Sequence, residues 1–200
     1  MADNSLIIIG AGFAGLSAGI YARMNGYTAT IYEMHDLPGG LCTGWVHKAL
    51  GVGDRVLLTG PFGDFYLREE SDREIVAIGG GSGMAPMRSI ILRLAEMGMP
   101  RKVSLFFGAC TRRDLFYVDV FNDLAKRFPN FRYFPALSEP LPADNWAGEV
   151  GFVTQVAQRH VAPDGRKEAV LCGPPPMIDA AMRILPKLGI PEEHIYFDKF

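Results

Sequence analysis

The residue types most suited to chemistry in this chain gather at a few glycine-rich junctions. Gly10, Gly12 and Gly15 form GxGxxG directly after the apolar run SLIII, and Glu33 closes the later run TATIYE. In such a pattern the first glycine permits a tight turn, and the second lets the backbone approach a pyrophosphate. The third allows close strand–helix packing, and the helix N-terminus attracts the phosphate charge. An acidic residue about 20 positions on accepts hydrogen bonds from a ribose. These four residues are therefore candidates for holding an ADP moiety. A second loop, GGGSGMAP, sets Gly81, Gly83 and Pro86 as GxGxxP between a strand pattern and a helix pattern. Its glycines let the chain lie against a phosphate, and a proline in a helix's first turn sacrifices no hydrogen bond. A branched side chain at Gly83 is expected to fill the room that the phosphate needs. In CGPPPM, Cys172, Gly173 and Pro174 leave a strand pattern. They stand where open α/β sheets bind ligands, although a rigid turn with a small buried thiol fits the same residues. Thr111, Arg112 and Arg113 of TRRDLFY suit a phosphate or ribose, or simply a solvated helix start.

The elements that must position these residues alternate. SLIII, a helical pattern to about Asn25 and TATIYE make a β-α-β unit. VHKAL suits a helical turn, and RVLLTGPFGDFYL reads as strand, turn and strand, with strands around Val56–Leu58 and Phe65–Leu67. From Glu74 the strands EIVAIGG, KVSLFFGA, FRYFPAL, EAVLCG and HIYFDKF alternate with helices. The helices are expected at Pro86 to about Met97, at Val118–Arg127, over GFVTQVAQRH and over PPMIDAAMRILPKLG, the last interrupted near Pro186. Such alternation implies an α/β fold with a parallel sheet covered on both faces. SEPLPADNWAGE shows no periodicity and reads as a surface loop.

Composition narrows the function. The 200 residues are 48% hydrophobic and 21% charged with a net charge of −2, which gives no electrostatic case for nucleic acid or an anionic membrane. No apolar run is long enough to cross a bilayer. LIIIGAGFAGLSAGIYA has no basic residue ahead of it and is punctuated by glycine, so a nucleotide-binding strand and helix explain it better than a secretion signal. Cys42, Cys110 and Cys172 match no zinc or disulfide spacing and cannot supply four thiolates to an iron–sulfur cluster. The histidines are scattered, so no metal site is expected, and the cysteine usage suits a cytoplasmic location.

Two family resemblances follow from these motifs. Residues 1 to about 45, with IIIGAGFAGLSAGIYARMNGYTATIYEMHDLPGGLCTGW, resemble the amino-terminal FAD-binding segment of phytoene dehydrogenase-like flavoproteins. From about Pro38 to Phe200 the chain is similar to the reductase component of multicomponent monooxygenases of the phenol hydroxylase reductase type, in the ferredoxin–NADP reductase superfamily. GDRVLLTGPFGDFYLR, IGGGSGMAPM, FFGACTRRDLFY, PALSEP, CGPPPMIDA and FDKF carry that likeness. It implies that PGGLCTGWVH is a flavin-phosphate loop running into a helix, with Gly39, Gly40, Cys42 and Thr43 at the flavin. It further implies that GGGSGMAP holds a nicotinamide dinucleotide, that Cys172 lies near the nicotinamide and that Phe200 lies near the flavin. The implied cofactors are FAD and NADH, with NADPH possible because Arg112 and Arg113 suit a 2′-phosphate. The implied partner is an oxygenase or ferredoxin electron acceptor. PGGLCTGW belongs to both patterns, so the chain reads as a join made where they coincide. The family's Arg-x-Tyr-Ser flavin motif is absent from the sequence, and Cys110 stands where relatives often carry arginine.

The reading is then an α/β protein with a five-stranded parallel Rossmann-like sheet, an N-terminal β-α-β unit and remnant strands of a flavin barrel. Its expected domains are residues 1–37 for FAD or ADP, 38–73 for the flavin-phosphate loop and barrel remnant, and 74–200 for NAD(P). The expected function is FAD-linked, NAD(P)H-dependent hydride transfer from nicotinamide to flavin, with slow or absent turnover because a flavin carried by the N-terminal unit is not expected to bring the reacting atoms within roughly 3–3.5 Å. The alternative is a non-catalytic nucleotide-binding chimera or engineered recombinant with an incomplete flavin site.

Overall fold

The computed structural model describes residues 5–9, 28–32, 51, 54–55, 64–163 and 165–199. The chain divides into two compact units, residues 1–63 and 64–200. In the first, β1 (Ser5–Ile9) and β2 (Thr28–Tyr32) pair in parallel, from Ser5 opposite Thr28 to Ile9 opposite Tyr32. Their β-branched residues suit a pleated ribbon. Parallel pairing of these two strands is the arrangement that the β-α-β reading of the sequence expects. Gly10, Gly12, Gly15, Glu33, Gly39, Gly40, Cys42, Thr43 and Phe200 lie outside the described residues, as do the VHKAL turn and the strand expected at Val56–Leu58.

The second unit is a parallel sheet of six strands in the order β6-β5-β4-β3-β7-β8. Its strands are β3 (Glu74–Gly80), β4 (Val103–Ala109), β5 (Phe131–Leu137), β6 (Glu149–Val150), β7 (Lys167–Gly173) and β8 (Ile195–Lys199). Four helices cover it: α1 (Met84–Glu96), α2 (Val118–Arg127), α3 (Val153–His160) and α4 (Pro175–Ile184). The central strands are near-continuous apolar runs because both faces are buried. Successive side chains point to opposite faces, so one strand feeds two cores. Ile75 and Ala77 of β3 join Leu105, Phe107, Met87, Ile91 and Phe121 beneath α1 and α2. Val76 and Ile78 join Phe106, Val156, Ile178 and Ala181 beneath α3 and α4.

At the sheet's amino edge, Arg101 and Glu168 form a buried ion pair at 3.0 Å. Glu168 also accepts a hydrogen bond from the Ser71 hydroxyl, while Arg101 donates to the Arg68 and Arg73 carbonyls. This network ties the segment before β3 to the sheet. Arg68 adds to the tie by stacking between the rings of Tyr66 and Tyr196, 4.1 and 3.5 Å from their centroids.

Three sequence expectations are corrected here. The sheet has a sixth strand, β6, which pairs Glu149 and Val150 with Ala136 and Leu137. Two residues carry no periodicity, so β6 is invisible inside what reads as a loop, and Trp146 steadies it by donating its indole N–H to the Glu149 carbonyl. Phe65–Leu67 is irregular rather than a strand, because Phe65 and Leu67 pack on the α1-side core and Arg68 is drawn to the two tyrosines. Finally, α1 begins at Met84 rather than Pro86, after a single 3-10 turn over Gly81–Gly83. The interruption near Pro186 is present, since α4 ends at Ile184 and a 3-10 turn covers Leu185–Leu188.

Candidate functional site

The site is built where the connections part. From β3 the chain runs through α1 to β4 on one side, and after α3 it enters β7 on the other. Open parallel sheets leave a ligand crevice outside the carboxyl ends of strands at such a switch point. Here Gly79 is level with Phe107 on one side and Cys172 on the other, and Gly80 is level with Gly108. The glycine loop after β3 and the cysteine–proline loop after β7 therefore emerge side by side.

Each glycine of the first loop has its own physical reason. Gly81 has a φ of +56°, a conformation that disfavours side chains, and no atom lies within 4 Å of where a Cβ would sit. Its outer side is open. Gly83 is the opposite case, because a Cβ there would fall 2.1 Å from the Cys172 carbonyl oxygen and 2.8 Å from the Gly173 nitrogen. The space beside Gly83 is thus occupied by the β7 backbone, and packing by itself already requires glycine there. Pro86 is the third residue of α1, inside the first turn, where its missing N–H costs nothing. No side chain caps this turn. Open space at Gly81 and an uncapped helix start fit an anion such as a pyrophosphate.

The second loop has different chemistry. Cys172 is 1% exposed, and burial, with the Asp198 charge adding to it, pushes its thiol up to about 12. Asp198 is Cys172's neighbour across β7 and β8, and its own carboxyl is raised by burial. Cys172 therefore keeps its proton near neutral pH, which leaves it a compact apolar wall with a weak S–H donor and removes thiolate nucleophilicity. Gly173 is buried and Pro174 exposed at the mouth of α4. Pro175 and Pro176 have no N–H, and the Met177 N–H already donates to the Pro174 carbonyl at 3.0 Å.

At the end of β4, Thr111 opens a 3-10 turn over Arg112–Asp114. Its backbone N–H and hydroxyl both donate to the Asp114 carboxylate, at 2.9 and 2.7 Å, which holds that carboxyl below its usual range. Arg113 is 86% exposed and lies 3.8 Å from Asp114. Arg112 donates through its guanidinium to the Asp144 carbonyl at 2.9 Å and through its backbone N–H to the Asp144 carboxylate at 3.3 Å.

The fold thus gathers Gly81, Gly83, Pro86, Cys172, Gly173 and Pro174 at one crevice, with Thr111, Arg112 and Arg113 one strand away. Three residues were missed by sequence reasoning. Gly108 lets α3 approach, since a Cβ there would lie 2.8 Å from the Val153 Cβ, and its signal was a glycine ending an otherwise apolar strand. Asp198 gave only an acid in a terminal strand pattern. Asp144 gave no signal in a segment without periodicity. Among the described residues, no cluster of His, Cys, Asp or Glu suits a metal ion, and no helix is long and apolar enough to cross a membrane.

Comparison with known proteins agrees with this geometry. Residues 77–183 match the oxidoreductase NAD-binding domain family, and residues 8–63 match an NAD(P)-binding Rossmann-like domain. The chain is 44% identical over 165 residues to the reductase component of a phenol 2-monooxygenase from Pseudomonas sp., an alignment covering 81% of this chain and 46% of that protein. It is 42% identical over 171 residues to one subunit of a Na(+)-translocating NADH-quinone reductase from Neisseria meningitidis, covering 82% and 42%. It spans about half the length of these curated relatives. Among solved structures, a cytochrome P450 reductase from Amycolatopsis superposes with a TM-score of 0.67 at 33% identity, covering 84% of this chain and 50% of that one. The cytochrome b5 reductase domain of Ulva prolifera nitrate reductase gives 0.68 at 25% identity, covering 80% and 66%.

Proposed function

The chain belongs to the family of oxidoreductase NAD-binding domains, and we propose that it acts as an FAD-linked, NAD(P)H-dependent reductase passing hydride from nicotinamide to flavin. The observation that carries this reading is the contact of Gly83 with the Cys172–Gly173 backbone, which joins two ligand-type loops into one crevice. Gly81 and the uncapped start of α1 hold the dinucleotide pyrophosphate, with Pro86 setting the helix entry. Cys172, Gly173 and Pro174 form the wall against which the nicotinamide is oriented, and the protonated thiol excludes water without adding charge. Thr111 and Arg113 lie towards the ribose, and Arg112, bonded to Asp144, stands beside them. When bound, the nicotinamide and flavin supply the hydride chemistry, and the protein supplies binding and orientation.

The flavin side falls to residues 1–73. In this reading Gly10, Gly12, Gly15 and Glu33 hold the ADP moiety, in keeping with the phytoene dehydrogenase-like segment. Gly39, Gly40, Cys42 and Thr43 hold the flavin phosphate and Phe200 lies near the ring. The functional segments are 1–37, 38–73 and 74–200 in a cytoplasmic protein. NADH is the electron source, a preference supported by the NADH-quinone reductase relative. An oxygenase or ferredoxin receives the electrons, which the phenol monooxygenase reductase component supports.

A second reading, a non-catalytic nucleotide-binding chimera, is favoured by one observation. Two dinucleotide-type family matches lie in tandem, at 8–63 and 77–183. The visible spectrum of the purified protein separates the two readings. A bound yellow chromophore bleached by NADH is the expected result. A colourless protein that still binds NADH in a calorimetric titration overturns the reductase reading in favour of the second.

A further inference from the structure

One arginine docks the turn after β4 onto the turn after β5. Arg112 donates from its guanidinium to the Asp144 carbonyl at 2.9 Å, and from its backbone N–H to the Asp144 carboxylate at 3.3 Å. The same carboxylate oxygen accepts the Leu141 N–H at 2.9 Å, which closes the 3-10 turn Pro142–Asp144 and aims its carbonyl at Arg112. Asp114 belongs to the same turn as the two arginines, held by Thr111 and 3.8 Å from Arg113. Two carboxylates therefore flank the two arginines at the end of the second strand of this sheet half.

That position matters for the cofactor. In dinucleotide folds the end of the strand next to the glycine-loop strand meets the adenosine ribose, where an acid suits a 2′-hydroxyl and an arginine accommodates a 2′-phosphate. Arg112 taken alone argues for the phosphate, because its planar fork matches phosphate oxygens bidentately. One arm of the fork, Nη1, is instead turned to a carbonyl. A 2′-phosphate, with roughly two negative charges near neutral pH, would meet Asp114 and Asp144. We propose that Asp144 is a positioning residue for cofactor specificity, holding Arg112 away from the ribose 2′ position so that the site takes NADH in preference to NADPH. The inference rests on the reading of the carboxyl edge as a nicotinamide dinucleotide site.

The test is calorimetric titration of the full chain with NADH and with NADPH at fixed salt. The unmodified protein is expected to bind both and to prefer NADH. Asp144→Ala should tighten NADPH and narrow the preference about fivefold, the scale of an exposed charge interaction. Asp144→Asn keeps an acceptor oxygen without the charge and should narrow it by less. Arg112→Ala alone should leave the preference where it is, and adding it to Asp144→Ala should take back part of the narrowing. A role confined to loop structure would weaken both nucleotides equally and leave their ratio unmoved. An unchanged ratio in Asp144→Ala, with both nucleotides still bound, overturns the inference alone. So does a selective loss of NADPH affinity in Arg112→Ala. If the unmodified chain binds neither nucleotide, the reading of the site falls and the inference falls with it.

Discussion

Two helices start side by side at the switch point, and they start in different ways. The chain enters α1 through Gly81–Gly83, with an open outer side at Gly81 and no side-chain cap. It enters α4 through Pro174, Pro175 and Pro176, also without a side-chain cap, and each helix spends one early N–H on a carbonyl just behind it, Met84 on Gly81 and Met177 on Pro174. Both helices leave the carboxyl edge of neighbouring parallel strands, so topology treats them alike. Their sequences do not. Glycine leaves the first turn approachable by an anion, whereas consecutive prolines remove its donors and leave a stiff, uncharged surface. On the proposed reading, the pyrophosphate and the planar ring are placed next to each other by varying only the residues that open two topologically equivalent helices.

The strongest way to break the contrast is Gly83→Val. The new Cβ would overlap backbone atoms of Cys172 and Gly173, which cannot swing aside as a flexible side chain would. We expect a loss of roughly 3 kcal/mol or more in stability, seen as a lowered thermal midpoint, together with loss of NADH binding. Gly81→Val should separate the two functions. Its open surroundings remove any clash, so only the left-handed backbone is penalised, by about 1–2 kcal/mol. NADH affinity should nevertheless drop at least about tenfold, because the side chain would stand where the phosphate approaches. A folded Gly81→Val protein with full NADH affinity would move the pyrophosphate away from this loop.

Much of this was legible before the structure. The runs EIVAIGG and EAVLCG declare buried strands because parallel sheets need apolar residues on both faces, and the glycine and proline punctuation after them marks the crevice. What stayed hidden was set by tertiary neighbours. Gly83 reads as a phosphate glycine, and only the packed β7 backbone shows that a side chain there would strike protein first. β6 has two residues and is held by Leu137 and Trp146, not by its own pattern. Asp144 acquires its importance from Arg112, 32 residues away, and no local spacing announces such a contact.

Cys172 sharpens the comparison on the α4 side. Its folded pKa of about 12 lies above the ordinary 9.0, so its contribution to stability is fully present below about pH 9 and is lost as the pH rises towards 12. In the native protein at pH 8, alkylating reagents should modify the exposed Cys110 and spare Cys172, which should become reactive on unfolding. Peptide mapping by mass spectrometry reads this directly. Rapid native labelling of Cys172 would mean that the wall beside the crevice is open and carries thiolate.

The smallest expected effect comes from giving α4 back its missing donors. Replacing Pro175 and Pro176 together by alanine restores two backbone N–H groups at an exposed helix start, where alanine is well tolerated. Each proline stiffens the unfolded chain, so the double variant should lose only about 1–2 kcal/mol, mostly through unfolded-state entropy. The fold itself has no reason to change, because Met177 still packs beside Gly80 and Gly173 and can keep its bond to the Pro174 carbonyl. If the anion belongs to α1 and the ring to α4, two added donors at α4 offer nothing that NADH uses, and its Kd should move by less than about threefold. Inorganic pyrophosphate, which is expected to compete with NADH in the unmodified protein, should compete equally well in the variant. Tightening of NADH by tenfold would show that the α4 mouth lies within reach of the phosphates, and the division of labour between the two helices would have to be redrawn.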